Sequence, residues 1–306
     1  MLAHRLGRGD RAALDLPWHS GTVRSVYDRL VDPMEPRDTG GVGFELVYRY
    51  TDRAGLLKYL LPSGELRMNS WSQMNDPREA KSWQLVGPWS PSGSLSQAEV
   101  RIRVDDLVRR SARLLSTSRD RAPQDEDSRG YLFHRGWAKS PLWHHYSFAH
   151  SGACLVLDLG ELNANLAGMS PTSSRRWRGI GSVTYEDRPA KVELSGIFAN
   201  RQDVDDAIEN YLDRKGMVIE LHLQKTTEWK YENEARLICV DFDLPAGQFD
   251  KPIDGLPVGE ALKAIILGEA HVDPLGSANQ IRSQLGSDVA VMQCHWTDGK
   301  PRLGVL

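Results

Sequence analysis

Cysteine is scarce, long apolar runs are missing and the charge nearly balances, and each shortage removes a class of protein. Three cysteines in 306 residues, Cys154, Cys239 and Cys294, sit far apart and mostly inside apolar strand-like runs. That distribution fits reduced core thiols better than disulfides or a zinc knuckle. No stretch approaches the about 20 continuous apolar residues of a membrane helix, and Met1 to Asp10 has no apolar centre of a secretory signal. A cytoplasmic location is therefore expected. The formal net charge of -3 gives no global nucleic-acid signature, and the local basic cluster Arg101 to Arg121 is interrupted by Asp105 and Asp106. Also missing are a Gly-rich phosphate loop, a Gly-x-Ser-x-Gly elbow and a His-Glu-x-x-His helix, which leaves common nucleotide folds, serine hydrolases and zinc proteases without support.

What is present is enough apolar content, 40% hydrophobic residues, for a sizeable core. Residues 1–43 mix charge, Pro and Gly around one short helix at Thr22 to Val31 and are taken as an N-terminal extension. A single domain over 44–306 is expected, with a helical insertion near 97–128. Glu45 to Thr51 is strand-like. Asp52 caps a helix from Arg53 to Leu61 that Pro62-Ser63-Gly64 stops, and Glu65 to Ser70 forms the next strand. Asn75-Asp76-Pro77 is a turn before a helix from Arg78. Helical spacing of Val100, Val104, Leu107 and Val108 predicts a helix over Gln97 to Leu115, followed by a mobile polar stretch to Ser128. Further along come a strand at Tyr131 to Ala138, a helix at Pro141 to Ala149 and a buried strand at Ala153 to Leu157. Gly168 to Trp177 is a loop, Ser182 to Glu186 a strand and Val204 to Leu223 mainly helical. Two strands at Ala264 to Leu267 and Val289 to Gln293 flank a helix near Ala278 to Leu285. Helices and strands mix without a repeat, so the expected class is α+β, with a mixed central sheet and flanking helices.

Chemistry concentrates at Lys225 to Val240, where Glu232 and Glu234 precede an apolar strand. Alternation places Glu232, Glu234 and Arg236 on one face and Asn233, Ala235 and Leu237 on the other. Neighbouring carboxylates repel, so one can have a raised pKa and act as acid or base while the other stays ionised. A half-exposed strand with solvated charges is the ordinary alternative. Arg49 and Thr51 share one face of the first strand and Tyr48 and Tyr50 the other, and an inward arginine needs an acidic partner or a phosphate. On the helix after Pro141, Trp143 and Tyr146 lie on one side. His144, His145 and His150 lack the spacing of a metal set.

These segments together resemble the bacterial family catalogued as domain of unknown function 2971. The likeness rests on Tyr48-Arg49-Tyr50, Leu56 to Leu61 with Gly64, and Met74-Asn75-Asp76-Pro77. It continues through Trp143-His144-His145-Tyr146, His150-Ser151-Gly152 and Val183-Thr184-Tyr185. Lys225, Trp229, Tyr231 to Arg236 and Ala264-Ile265-Ile266-Leu267-Gly268 complete it, over roughly residues 44 to 295. A more distant likeness is to the ADP-ribosyltransferase superfamily. There the first core strand carries Arg or His, a later strand carries Ser or Tyr, and a last motif carries Glu, sometimes as Glu-x-Glu.

Arg49 and Glu232-Asn233-Glu234 look similar to the first and last of these. No clean Ser-Thr-Ser is recognised in the chain, so only Ser140 or Tyr146, near the strand expected at Tyr131 to Ala138, is left to stand in for the middle one. The resemblance implies a split sheet, NAD as substrate, and transfer of ADP-ribose to a macromolecular acceptor, protein or nucleic acid, in bacterial stress or phage defence. Glu234 would hold the ribose and stabilise developing positive charge, and Glu232 would orient or deprotonate the acceptor. Arg49, with Tyr50, Thr51, Trp143 and Tyr146, would bind the cofactor. Two other classes remain open. One is a noncatalytic binding or sensor module with these residues as a polar core. The other is a metal-dependent nuclease or hydrolase using Asp76, His144, His145, His150 and the two glutamates.

Overall fold

Strand-forming segments that are apolar on both faces must be covered on both sides, and this requirement shapes the molecule. The computed structural model describes residues 21–31, 45–74, 84–93, 95–121, 130–169, 176–188, 191–212, 221–241, 253–286 and 289–306. Helix α1 is Gly21–Val31. Strand β1, Leu46–Thr51, leads to helix α2, residues 53–63, whose middle Gly55–Leu60 is wound as a π-helix. Asp52 accepts a bond from the Gly55 amide at 2.5 Å, and Gly64 closes the helix in the left-handed region at φ 67°, where glycine has no steric penalty. Strand β2 is Glu65–Ser70. Short strands β3, Gln84–Val86, and β4, Trp89–Pro91, follow.

Helix α3 begins at Gln97 behind a capping box in which Ser96 and Glu99 bond each other's amides. It ends at Arg110 after a final π turn, not at Leu115 as its spacing predicts. Residues Ala112–Arg119 are strand β5, so the polar stretch expected from Ser116 begins inside the sheet. Ala, Arg and Leu favour helix intrinsically, but pairing along both edges of β5 overrides that preference. Tyr131–His134 and Gly136–Ala138 are 3-10 turns, correcting the strand expected there.

Helix α4 is Ser140–Tyr146, β6 is Ala153–Asp158 and helix α5 is Leu159–Gly168. Strand β7 already starts at Arg176 and runs to Ser182, where a loop to Trp177 was expected. Short strands β8 (Thr184–Tyr185), β9 (Lys191–Glu193) and β10 (Gly196–Phe198) precede helix α6, Arg201–Leu212. Then come β11 (Gln224–Lys225), a 3-10 turn (Thr227–Glu232) and β12 (Glu234–Asp241). Strands β13 (Ile253–Pro257) and β14 (Leu262–Leu267), helix α7 (Pro274–Leu285) and the hairpin β15 (Ala290–Thr297) and β16 (Lys300–Val305) complete the chain.

The class is α+β. Ten strands form one sheet in the order β13-β2-β5-β1-β6-β14-β15-β16, with β12 on the other edge of β5 and β7 beyond it. Pairing in this sheet is antiparallel except between β14 and β15, which α7 connects. On one face Val47, Leu155, Leu237 and Ile265 pack under α2, α5 and α7. The other face carries two apolar patches. Leu114, Ile238 and Val240 meet α3 and α6, while Tyr48, Tyr50, Val156 and Met292 meet α1 and α4. Strand alternation places Ser116, Ser118, Glu234 and Arg236 in the polar gap between those patches.

That gap coincides with a split. Strand β1 pairs with the end of β5, at Arg119 and Ser118, and β2 pairs with its start, at Leu114 and Arg113. Both strands lie along the same edge of β5 and part over its middle, opening the sheet at residues 115–117. Among the described residues no helix is long and apolar enough to cross a membrane.

Candidate active site

The split opens into a cavity of about 200 Å³ lined by Arg49, Asn69, Ser116, Tyr146, Lys225, Glu232 and Glu234 among others. A wider groove of about 850 Å³ lies outside it, and Arg49, Tyr50, Asn69 and Tyr146 line both. Lys58 and Arg67 add positive charge to the groove, and Asp52 and Glu65 add negative.

Sheet register assembles the inner wall. Tyr48 pairs with Ser118 and Ser118 pairs with Glu234, so β1, β5 and β12 contribute one residue each to a single row. One step along, Arg236 pairs with Ser116. Glu234 and Arg236 share a face, as alternation predicts, and are bound together at 2.7 Å (Nε to Oε1) and 3.0 Å (Nη2 to Oε2). The strand is buried along its whole length, which replaces the half-exposed strand with solvated charges.

Glu232 joins this face by other means than alternation. It ends the 3-10 turn, and Asn233 takes a left-handed conformation at φ 47° before the strand begins. The Glu232 carboxylate then receives the Lys225 ammonium at 2.6 Å and the Tyr146 hydroxyl at 2.8 Å. Lys225 also reaches Glu234 at 3.4 Å and lies 4.6 Å from the centre of the Trp229 ring. One ammonium therefore bridges both carboxylates.

The two carboxylates are driven in opposite directions. Burial pushes Glu232 up, against the pull of Lys225, and Glu234 adds to the rise. Burial also pushes Glu234 up, but Arg236 and Lys225 outweigh it and hold the carboxyl down to about 2. Glu234 is thus a fixed negative charge, and Glu232 is the one of the two that gives up its proton at the higher pH.

Behind them, Arg236 donates to the His222 carbonyl at 2.9 Å and lies over the Trp71 ring, 5.6 Å from its centre. The Trp71 indole donates to His222 Nδ1 at 3.0 Å, which fixes that nitrogen as the acceptor.

Arg49 stands on the opposite face of β1 from the two tyrosines and reaches through the split. Its Nη1 donates to the Ser116 carbonyl at 2.8 Å, so a backbone oxygen serves where a carboxylate or phosphate was expected. A guanidinium has five N–H donors, and this bond uses one. Burial pushes its pKa down, with Tyr146 and Glu234 opposing.

Other sequence candidates fall elsewhere. Trp143 is fully buried in the core, and its indole donates to the Trp137 carbonyl at 2.7 Å, so it does not line the cavity. The Tyr50 ring packs edge-on against Trp143 and its hydroxyl donates to the Gly136 carbonyl at 2.7 Å, so its ring is committed to the core although the residue lines the cavity. Thr51 lines the outer groove alone. Ser140 is exposed at the start of α4, outside the lining of either cavity. Among the described residues no three His, Cys, Asp or Glu side chains converge to hold a metal ion. His144 and His145 are exposed and His150 stacks on Trp143, while Asp76 lies outside the described residues.

The residues missed by sequence reasoning are Ser116, Thr117 and Ser118. They form a literal Ser-Thr-Ser in the second half of β5, and all three line the cavity. Ser118 donates to the Glu232 carbonyl at 2.6 Å and Thr117 to the Ala235 carbonyl at 3.0 Å. The signal was present in the sequence, but running α3 on to Leu115 hid it.

Residues 142–237 match a family model described as protein of unknown function (DUF2971). The match supports the resemblance to that family and takes in Tyr146, Lys225, Glu232, Glu234 and Arg236; Arg49 and Ser116 to Ser118 lie outside it. No curated protein and no solved structure matches the chain.

Proposed function

We propose that the chain is an ADP-ribosyltransferase-like enzyme that takes NAD as substrate and passes ADP-ribose to a macromolecular acceptor. The observation that carries this reading is the convergence on one cavity of Arg49 from β1, Ser116-Thr117-Ser118 from β5, and Glu232 and Glu234 from the turn and strand that meet at Asn233, at the split between β1 and β2. These are the three elements of the superfamily resemblance, the middle one now on a core strand.

The sizes fit a divided substrate. The inner cavity of about 200 Å³ accommodates a nicotinamide-sized ring, and the groove of about 850 Å³ accommodates the remainder of a dinucleotide. Arg49 stands where the two meet, suited to a diphosphate through its remaining donors. In the reaction the bond between ribose C1 and the nicotinamide nitrogen breaks, nicotinamide leaves with the bonding pair, and an acceptor atom bonds to C1. Glu234, permanently ionised, stabilises the positive charge that develops on the ribose. Glu232 accepts the proton that the acceptor loses.

A second reading, a noncatalytic binding module, draws on the engagement of Glu234 by Arg236, which is the geometry of a polar core network. Incubating the purified chain with labelled NAD separates the two. Nicotinamide release and label transfer to protein, RNA or DNA that is lost in Glu232→Gln supports the transferase. No NAD binding and no turnover leaves the binding module.

A further inference from the structure

Asn233 occupies the corner between the turn Thr227–Glu232 and strand β12, and it is the residue on which the two carboxylates pivot. It is one of few non-glycine residues at positive φ among those described. Such a conformation costs free energy and persists where its surroundings over-determine it.

The surroundings here are the end of β5 and Asp120, the residue that follows it. The Asn233 side-chain amide donates to the Arg119 carbonyl at 3.2 Å and to the Asp120 carbonyl at 3.0 Å. Its own carbonyl accepts from the Arg119 amide at 2.9 Å. One residue earlier, the Glu232 carbonyl accepts from Ser118 at 2.6 Å. Asp120 is held in turn by the Gly136 amide and by Arg135, each at 2.8 Å. The corner is thus pinned to a strand end that is itself pinned.

Position follows from this. Glu232 belongs to a turn and Glu234 to a strand, so no single periodicity relates them. What brings both to the Lys225 ammonium, at 2.6 and 3.4 Å, is the angle set at Asn233. We infer that Asn233 is the positioning residue of the site, its amide fixing the left-handed corner that holds Glu232 and Glu234 on one ammonium. The inference does not rest on the transferase reading, because the arrangement exists whatever the site acts upon.

Two variants test it. Asn233→Gly keeps the left-handed conformation accessible but removes the amide. Asn233→Asp keeps the shape but replaces the donor with an acceptor facing two carbonyls. In selectively labelled protein, the Glu232 carboxyl is titrated by carbon NMR, and circular dichroism and a thermal melt report the fold. If Asn233 positions the pair, at least one variant folds, and its Glu232 midpoint moves down toward the ordinary carboxylate range as the loosened carboxylate gains water. If a folded variant titrates Glu232 as the wild type does, or if neither variant folds, the positioning role is overturned and Asn233 is only a structural corner. This readout needs no NAD turnover, so its failure is distinct from failure of the transferase assay.

Discussion

Glu234 and Arg236 hold each other two residues apart on one face of β12, through a pair of charged hydrogen bonds at 2.7 and 3.0 Å with both side chains buried. A buried ion pair contributes little net stability, yet removing one member strands the other charge. Glu232 differs, because burial already favours its neutral form.

Glu234→Gln, which takes a partner from both Arg236 and Lys225, should therefore cost about 3 kcal/mol in urea unfolding at neutral pH, and Glu232→Gln less, because the Lys225 ammonium it releases keeps Glu234 at 3.4 Å. Equal costs for the two would show that the carboxylates are not differently held. The contrast also makes Glu232→Gln the cleaner variant for activity, since its loss of function is not mixed with loss of fold.

Acid should weaken the fold in two steps with separate origins. Burial, with Arg236 and Arg109 nearby, pushes His222 down to about 3, whereas an unfolded imidazole titrates near 6.5. As pH falls through about 6.5 the unfolded chain takes up a proton that the folded chain refuses, so stability falls from there toward pH 3. Glu234, held at about 2, adds a loss that begins lower, as pH falls below the ordinary carboxylate range. Glu232 works the other way, its raised pKa favouring the fold as pH falls. Subtracting urea midpoints of His222→Gln from those of wild type isolates the first step. The difference should shrink steadily from pH 7 to pH 5, and a constant difference would contradict a neutral, buried His222.

Two glycines that look alike in sequence should respond differently to alanine. A Cβ at Gly268 would lie 2.0 Å from the His150 carbonyl oxygen, in a turn where Phe148, Ala149 and His150 are all at positive φ. Backbone in that turn has no room to give. A Cβ at Gly276 would lie 2.1 Å from the end of the Asp273 side chain, which can swing aside. Thermal melts should show Gly268→Ala losing about 2 kcal/mol or more, and Gly276→Ala about 1 kcal/mol or less.

The legible parts of the sequence were those where one local rule decided the outcome. Alternation paired Glu234 with Arg236, capping and a left-handed glycine bounded α2, and apolar runs marked β6 and β14. Glu232 reached the expected face for an unexpected reason, a turn and a left-handed corner in place of a strand. Ser116 to Ser118 were hidden because Ala112 to Leu115 are as comfortable in a helix as in a strand, and only partners distant in sequence, β12 above all, select the strand. Trp143 and Tyr50 were ambiguous for a similar reason. An aromatic side chain with one polar atom suits a core or a ligand platform, and only the carbonyls of Trp137 and Gly136 place these two in the core.

The junction of cavity and groove provides the last prediction. If the diphosphate of NAD meets Arg49, then Arg49→Met should weaken binding of ADP-ribose at least about tenfold, the loss typical of a charge-assisted contact. Arg49→Lys should not restore it, because a lysine cannot both donate to the Ser116 carbonyl at the present angle and offer a planar fork to a phosphate. Nicotinamide alone, which fits within the inner cavity, should bind both variants as it binds wild type. Calorimetric titration with the two fragments separates these effects. Unchanged ADP-ribose affinity in Arg49→Met would place the diphosphate elsewhere and leave Arg49 as a strut across the split, holding β1 to the middle of β5.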